Sequence, residues 1–169
     1  LKMNVGRVER HWERNCLALG LSQGFIEPLE ATALNLVCNT IYDFMATVDK
    51  DGFAGAGCDD FNTRINDGFE MVRDYIVAHY ILNTREDTDY WRQNGANTHV
   101  PERLQQILQI WKSGQGLAQE MERQQIPSSY TAMSWACLLS GYGFFPETRA
   151  VEGGEHYAGK VNMTDIDEF

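Results

Sequence analysis

Asn15 to Ala33 reads NCLALGLSQGFIEPLEATA, and the order of residue types in this stretch decides how the chain is read. A small apolar run, Cys16-Leu17-Ala18-Leu19, leads into a turn punctuated by Gly20 and Gly24. Glu27 and Glu30 then bracket Pro28, and a helix is expected to start at about Ala31. The stretch therefore predicts a short strand, a loop and a helix N-terminus. The first turn of a helix carries backbone N–H groups without partners and the positive end of the macrodipole, so it attracts anions. Thr32 and Ala33 would present such groups, and Ala33 is small enough to let an ion approach. Glu30 sits at or just before the N-cap. It is either a favourable charge at a helix start, worth up to about 1 kcal/mol, or a carboxylate at the mouth of a cofactor pocket, available as a base. Pro28 fixes the backbone between the two glutamates in either case.

Beyond the motif the pattern is helical. Leu34, Val37, Ile41, Phe44, Met45 and Val48 fall on one predicted face of a helix from Ala31 to about Asp49. Asp51-Gly52 and Gly55-Ala56-Gly57 break it. Asp59 or Asp60 would cap a second helix with Phe61, Ile65, Phe69, Val72, Ile76 and Tyr80 on one side. A turn is expected over Thr84 to Asp87, and a short helical turn over Asp87 to Arg92. Pro101 reads as the first residue of a helix carrying Leu104, Ile107, Leu108 and Trp111. Gly114 and Gly116 interrupt that helix before Leu117 to Gln125 resumes it. Tyr130 to Leu139 reads as a buried helix or a strand, closed by Gly141, Gly143 and Pro146. The run before Gly20 is the single convincing strand. The expected fold class is a mainly α fragment with a short strand entering the first helix, part of something larger.

Composition narrows the function classes. The 169 residues are 43% hydrophobic and 22% charged, which suits one globular domain with a core. A net charge of -10 argues against nucleic acid as a partner, since phosphate binding needs a basic stripe. No apolar run approaches the roughly 18 residues of a membrane span. The opening LKMNVGRVERHW has no secretory pattern, and a chain starting at Leu1 reads as a piece or a processed product. Cys16, Cys38, Cys58 and Cys137 form no CxxC pair and have no histidine at zinc spacing, so no metal site is expected. They read as buried free thiols of a reducing, cytoplasmic compartment.

The motif residues carry a resemblance. NCLALGLSQGFIEPLEATA resembles, without a gap, the signature of flavin-dependent halogenases of the tryptophan halogenase family, including its EPLE(A/S)T core. Gly6-Arg7 and Trp12 resemble the approach to that signature. Asp74 to Tyr80, Arg85-Glu86-Asp87 and Tyr90-Trp91-Arg92 resemble a later family segment, and Ser134-Trp135 through Gly143 to Pro146 another. The resemblance implies that a larger α/β, flavin-monooxygenase-like fold surrounds this piece. On that basis residues 1–30 would end the flavin-binding core, 31–146 would be the C-terminal helical region, and 147–169 an acidic, weakly structured tail.

It also implies an activity. Such enzymes use reduced FAD from a separate flavin reductase, with oxygen, to convert chloride or bromide into hypohalous acid. That species reaches a lysine and halogenates an electron-rich aromatic small molecule. The resemblance makes Glu30 the catalytic glutamate and assigns halide binding to Thr32 and Ala33. Flavin contacts map to Leu21 and Val37, with Gly20, Gly24, Phe25 and Pro28 nearby.

The departures matter equally. The chain has no GxGxxG, and Lys2, Lys50, Lys112 and Lys160 match no family context. The isolated chain is therefore expected to be inactive without an N-terminal flavin-binding half. Ala31 stands where the family commonly has Ser. The region before Ser134 is short, leaving Tyr130 and Trp135 as candidate substrate-pocket aromatics and pointing away from free tryptophan to a different indole, a phenol or a larger aromatic. Two other readings remain: a non-catalytic helical binding module derived from the halogenase fold, and a flavin monooxygenase that hydroxylates.

Overall fold

Two long antiparallel-packed helices and a strap of short strands organise the molecule. The computed structural model describes residues 4–146, apart from the side chain of Glu30. The tail expected at 147–169 lies outside the described residues. The strap holds β1 (Gly6–Arg7), β2 (Trp12–Glu13), β3 (Cys16–Leu17) and β4 (Gly24–Phe25). The helices are α1 (Thr32–Asp51), α2 (Cys58–Ile81), α3 (Asp89–Gly95), α4 (Glu102–Lys112), α5 (Leu117–Arg123) and α6 (Ala132–Gly141).

The chain is thus mainly α, with strands only two residues long. The strand expected before Gly20 exists as β3, but it pairs antiparallel with β2, Trp12 opposite Leu17. β1 pairs antiparallel with β4, Gly6 opposite Phe25. The reading of a single strand is corrected on this point. Two-residue strands are too short to carry an alternating pattern.

α2 is the spine. Its face Phe61, Ile65, Phe69, Val72 and Ile76 is buried with Trp12 of the strap and Leu36 of α1. Its C-terminal half supplies Tyr75 and Ala78 to a second cluster with Leu104, Ile107 and Ile110 of α4, Leu117 and Met121 of α5, and Trp135 of α6. The stretch from Tyr130 resolves as a helix because Thr131 caps it, accepting from the Ser134 N–H at 3.1 Å. The α4–α5 break falls at Gly114, whose φ of 72° is readily adopted by glycine.

α1 departs from its expected face. Leu34, Ile41 and Met45 are 71%, 37% and 57% exposed. Its inward face is Thr32, Leu36, Thr40 and Thr47, flanked by half-buried Phe44 and Val48. Threonine reads as polar in a sequence, yet here the hydroxyls are satisfied within the helix. Thr40 Oγ1 donates to Leu36 O and Thr47 Oγ1 to Asp43 O, both at 2.7 Å. The cysteine reading is also corrected. Cys58 is buried, whereas Cys16 of β3, Cys38 of α1 and Cys137 of α6 are exposed, because their elements turn those positions outward.

Candidate functional site

The motif loop is held from behind by buried polar contacts. Asn62 of α2 is the hub. Its Oδ1 accepts from the His11 and Trp12 N–H groups at 2.6 and 2.9 Å, and its Nδ2 donates to Trp12 O and Cys58 O, each at 2.9 Å. Cys58 Sγ adds a donor to Trp12 O at 2.9 Å. The His11 ring stacks on Phe69 with centroids 5.5 Å apart and reaches Asn66 Oδ1 at 3.0 Å through Nε2. Burial pushes the His11 pKa down; the Asn66 contact opposes that and the Arg7 charge adds to it.

The loop then turns by devices visible in its residues. Gly20 opens a short 3-10 turn, Gly20–Ser22, at φ 60°. Ser22 Oγ ties it, donating to Leu19 O at 2.8 Å while accepting the Leu19 N–H at 3.0 Å. Gln23 is buried, and its Nε2 donates to Thr40 Oγ1 at 2.6 Å, fixing the loop to α1. Gly24 lies against β1 so closely that a Cβ would stand 2.7 Å from Gly6 O and 2.9 Å from Arg7 Cα. A second 3-10 turn, Leu29–Ala31, leads into α1, and the backbone of Glu30 lies in it. Ala31 is left-handed, φ 56° and ψ 23°, and gives α1 no side-chain cap. The Glu30 side chain is outside the described part of the structure. Glu27, by contrast, accepts a hydrogen bond from the Tyr80 hydroxyl. Burial first, then that contact, holds the Tyr80 phenol protonated well above its usual range.

One cleft of about 200 Å³ collects the expected positions. Gly20, Leu21, Gly24, Phe25, Pro28 and Val37 line it together with Ala33. The remaining walls are Gln23, Ile26, Leu34, Leu36 and Phe69. None of these residues is charged. The lining suits the flat apolar part of an aromatic ring system and has no charged side chain to pair with a pyrophosphate. Phe69 is a wall that the sequence marked only as a core residue of α2.

Thr32 and the two aromatics are elsewhere. Thr32 is buried; its N–H and Oγ1 both go to Leu29 O, and Oγ1 lies 3.0 Å from the Tyr130 hydroxyl. The Tyr130 ring stacks on Tyr75 with centroids 3.7 Å apart. Trp135 is 1% exposed, edge-on to Tyr75 at 4.8 Å, with its indole N–H donated to Ser128 Oγ at 2.9 Å. The structure therefore joins Ala33 to the cleft, Thr32 to Tyr130, and Trp135 to the core behind them. His79 is a structural histidine: its Nδ1 lies 2.9 Å from Tyr75 O. Among the described residues no three His, Cys, Asp or Glu side chains are grouped to hold a metal. No helix among them is long and apolar enough to cross a membrane.

Comparison with known proteins places these features in context. The sequence profile described as tryptophan halogenase matches residues 1–154. The chain is 31% identical over 112 residues to the tryptophan 6-halogenase SttH of Streptomyces toxytricini, covering 66% of this chain and 21% of that protein. Among solved structures it resembles BrvH, a flavin-dependent halogenase from Brevundimonas sp. BAL3, with a TM-score of 0.73 and 34% identity over 86% of this chain and 28% of that one. A tryptophan halogenase from Shewanella frigidimarina NCIMB 400 gives a TM-score of 0.74 at 26% identity, over 89% of this chain and 28% of that one. The chain thus spans less than a third of the length of each.

Proposed function

The chain belongs to the tryptophan halogenase family, and from that premise we propose that it forms the motif-bearing helical part of an FAD-dependent halogenase acting on an indole- or phenol-like aromatic. The observation that carries this reading is the cleft, where all six expected flavin positions and Ala33 meet on an uncharged apolar lining. Such a lining fits the ring portion of the cofactor. When bound, reduced flavin with oxygen supplies the oxidising power that turns chloride or bromide into hypohalous acid.

The chain's own residues do the rest. Leu21, Phe25, Pro28 and Val37 cover the ring and keep water from it. Ala33 and Leu34, in the first turn of the 20-residue helix α1, line the cleft, so the positive end of that helix lies beside it. The halide sits there against Ala33, whose N–H is the one to hold it, because the Thr32 N–H is already given to Leu29 O. Glu30, carried by the 3-10 turn that leads into α1, is the base that takes and returns a proton next to the halogenating species. An N-terminal half of the same enzyme brings the pyrophosphate site and the lysine. The exposed α1 stripe of Leu34, Ile41 and Met45 is a surface for it to cover. A separate cytoplasmic reductase supplies the reduced flavin.

The test is Glu30→Gln in the full-length protein. Halogenation of indole should fall by at least about 100-fold while FAD still binds with unchanged affinity. An unchanged rate would remove Glu30 from the chemistry. Bromide-dependent product from the parent protein separates halogenation from hydroxylation. The 169-residue chain alone should give no product even with a reductase present.

A further inference from the structure

We propose that Tyr130 is a positioning residue: its hydroxyl ties the turn before α6 to the halide-holding start of α1 through Thr32, and so sets halide affinity. The proposal rests on the reading above that Ala33, at the start of α1, holds the halide.

The start of α1 needs a tether. Its N-cap residue is Ala31, which has no side-chain oxygen and adopts the left-handed region that favours glycine. Thr32 supplies the polar contacts instead. Its hydroxyl contacts Leu29 O and lies 3.0 Å from the Tyr130 hydroxyl, and either hydroxyl can donate in that second bond. This bond joins residues 98 apart in sequence and is partly buried, where loss of a partner is felt most.

Tyr130 is itself held rigidly. Tyr75 of α2, 3% exposed, stacks against it with planes 13° apart. Its N–H donates to Ser128 Oγ at 3.1 Å, and the same oxygen receives the Trp135 indole N–H. α2 and α6 thus fix the ring before the hydroxyl reaches Thr32. The Thr32–Tyr130 hydrogen bond passes a shift of the 127–131 turn to the start of α1. A residue that reads as a pocket aromatic acts on the anion site from behind.

The experiment uses the full-length, FAD-loaded protein. Tyr130→Phe keeps the stacked ring and removes the hydroxyl. Bromide affinity is read from the rise in melting temperature across a bromide titration at constant ionic strength. The expected result is a bromide Kd about five- to tenfold weaker, with the FAD Kd unchanged. In indole bromination the bromide KM rises by a similar factor while kcat stays within about twofold. Thr32→Val removes this bond together with the one to Leu29 O, so its shift should be at least as large. The double variant should add nothing to it. An unchanged bromide Kd in Tyr130→Phe, or effects that multiply in the double variant, would overturn the proposal. Ala33→Pro tests the underlying site separately. It deletes a backbone N–H in the first helical turn, where proline is tolerated. If Tyr130→Phe is silent but Ala33→Pro weakens bromide, the tether is wrong and the halide site stands. If Ala33→Pro is silent too, both fall.

Discussion

Replacing Asn62 by Leu should unfasten the strap that positions the motif loop. The side chain makes four hydrogen bonds to backbone atoms from a residue that is 4% exposed. Leucine keeps the same side-chain branching and heavy-atom count, so the change deletes the polar contacts without opening a cavity. Two of the lost partners keep other donors: Trp12 O retains Cys58 Sγ, and Cys58 O lies within α2. The His11 and Trp12 N–H groups are different. Both residues are buried, and Asn62 Oδ1 is the acceptor for each. An orphaned buried donor costs about 1–3 kcal/mol, so the pair costs about 2–6 kcal/mol. That is a large share of the roughly 5–15 kcal/mol that separates folded from unfolded domains. For a domain of this size it corresponds to a drop in melting temperature of roughly 4–24 °C. Urea unfolding followed by tryptophan fluorescence measures the loss, and amide hydrogen exchange at Trp12 localises it. A loss below about 1 kcal/mol with unchanged Trp12 protection would refute the reasoning, because another acceptor would then be serving those amides.

Two further expectations concern the same strap. Burial holds the folded His11 pKa below its ordinary value, so the unfolded chain binds more protons between the two. Stability should therefore fall as pH drops below about 6.5. An NMR titration giving the His11 ring a pKa at or above its ordinary value would contradict this. Gly24→Ala places a Cβ against backbone atoms of Gly6 and Arg7 that cannot give way independently. It should cost about 1–3 kcal/mol and weaken FAD binding in a fluorescence titration of the full-length protein; a neutral effect on both would mean the β1–β4 pairing does not shape the cleft.

Helix existence was legible because it is local. The α2 face repeats apolar residues from Phe61 to Ile76, and every one of those positions is buried. Gly114, Gly116 and Pro101 punctuate the chain at or beside real helix ends. The motif was legible as a loop and helix start for the same reason: Gly20, Gly24 and Pro28 state their backbone preferences one residue at a time.

What faced inward on α1 was not local. The helix carries two stripes that a sequence can offer to a core. Leu34, Ile41 and Met45 are the more apolar, yet Leu36, Thr40 and Thr47 were chosen. Packing against α2 decided it, and hydroxyl bonds to the preceding turn made buried threonine acceptable. The same holds for the hub and the tether. Asn62 lies about fifty residues from the amides it satisfies, and Tyr130 lies 98 residues from Thr32. No spacing rule reaches across such distances. The sequence by itself determined the helices, the turns and the chemical character of Asn15 to Ala33. Tertiary packing alone decided that the positions expected to meet a flavin share one cleft with Ala33 while Thr32 turns its side chain away to meet Tyr130. The physical reason is that backbone preference is set within a few residues, whereas a side chain's partners are set by which helices meet.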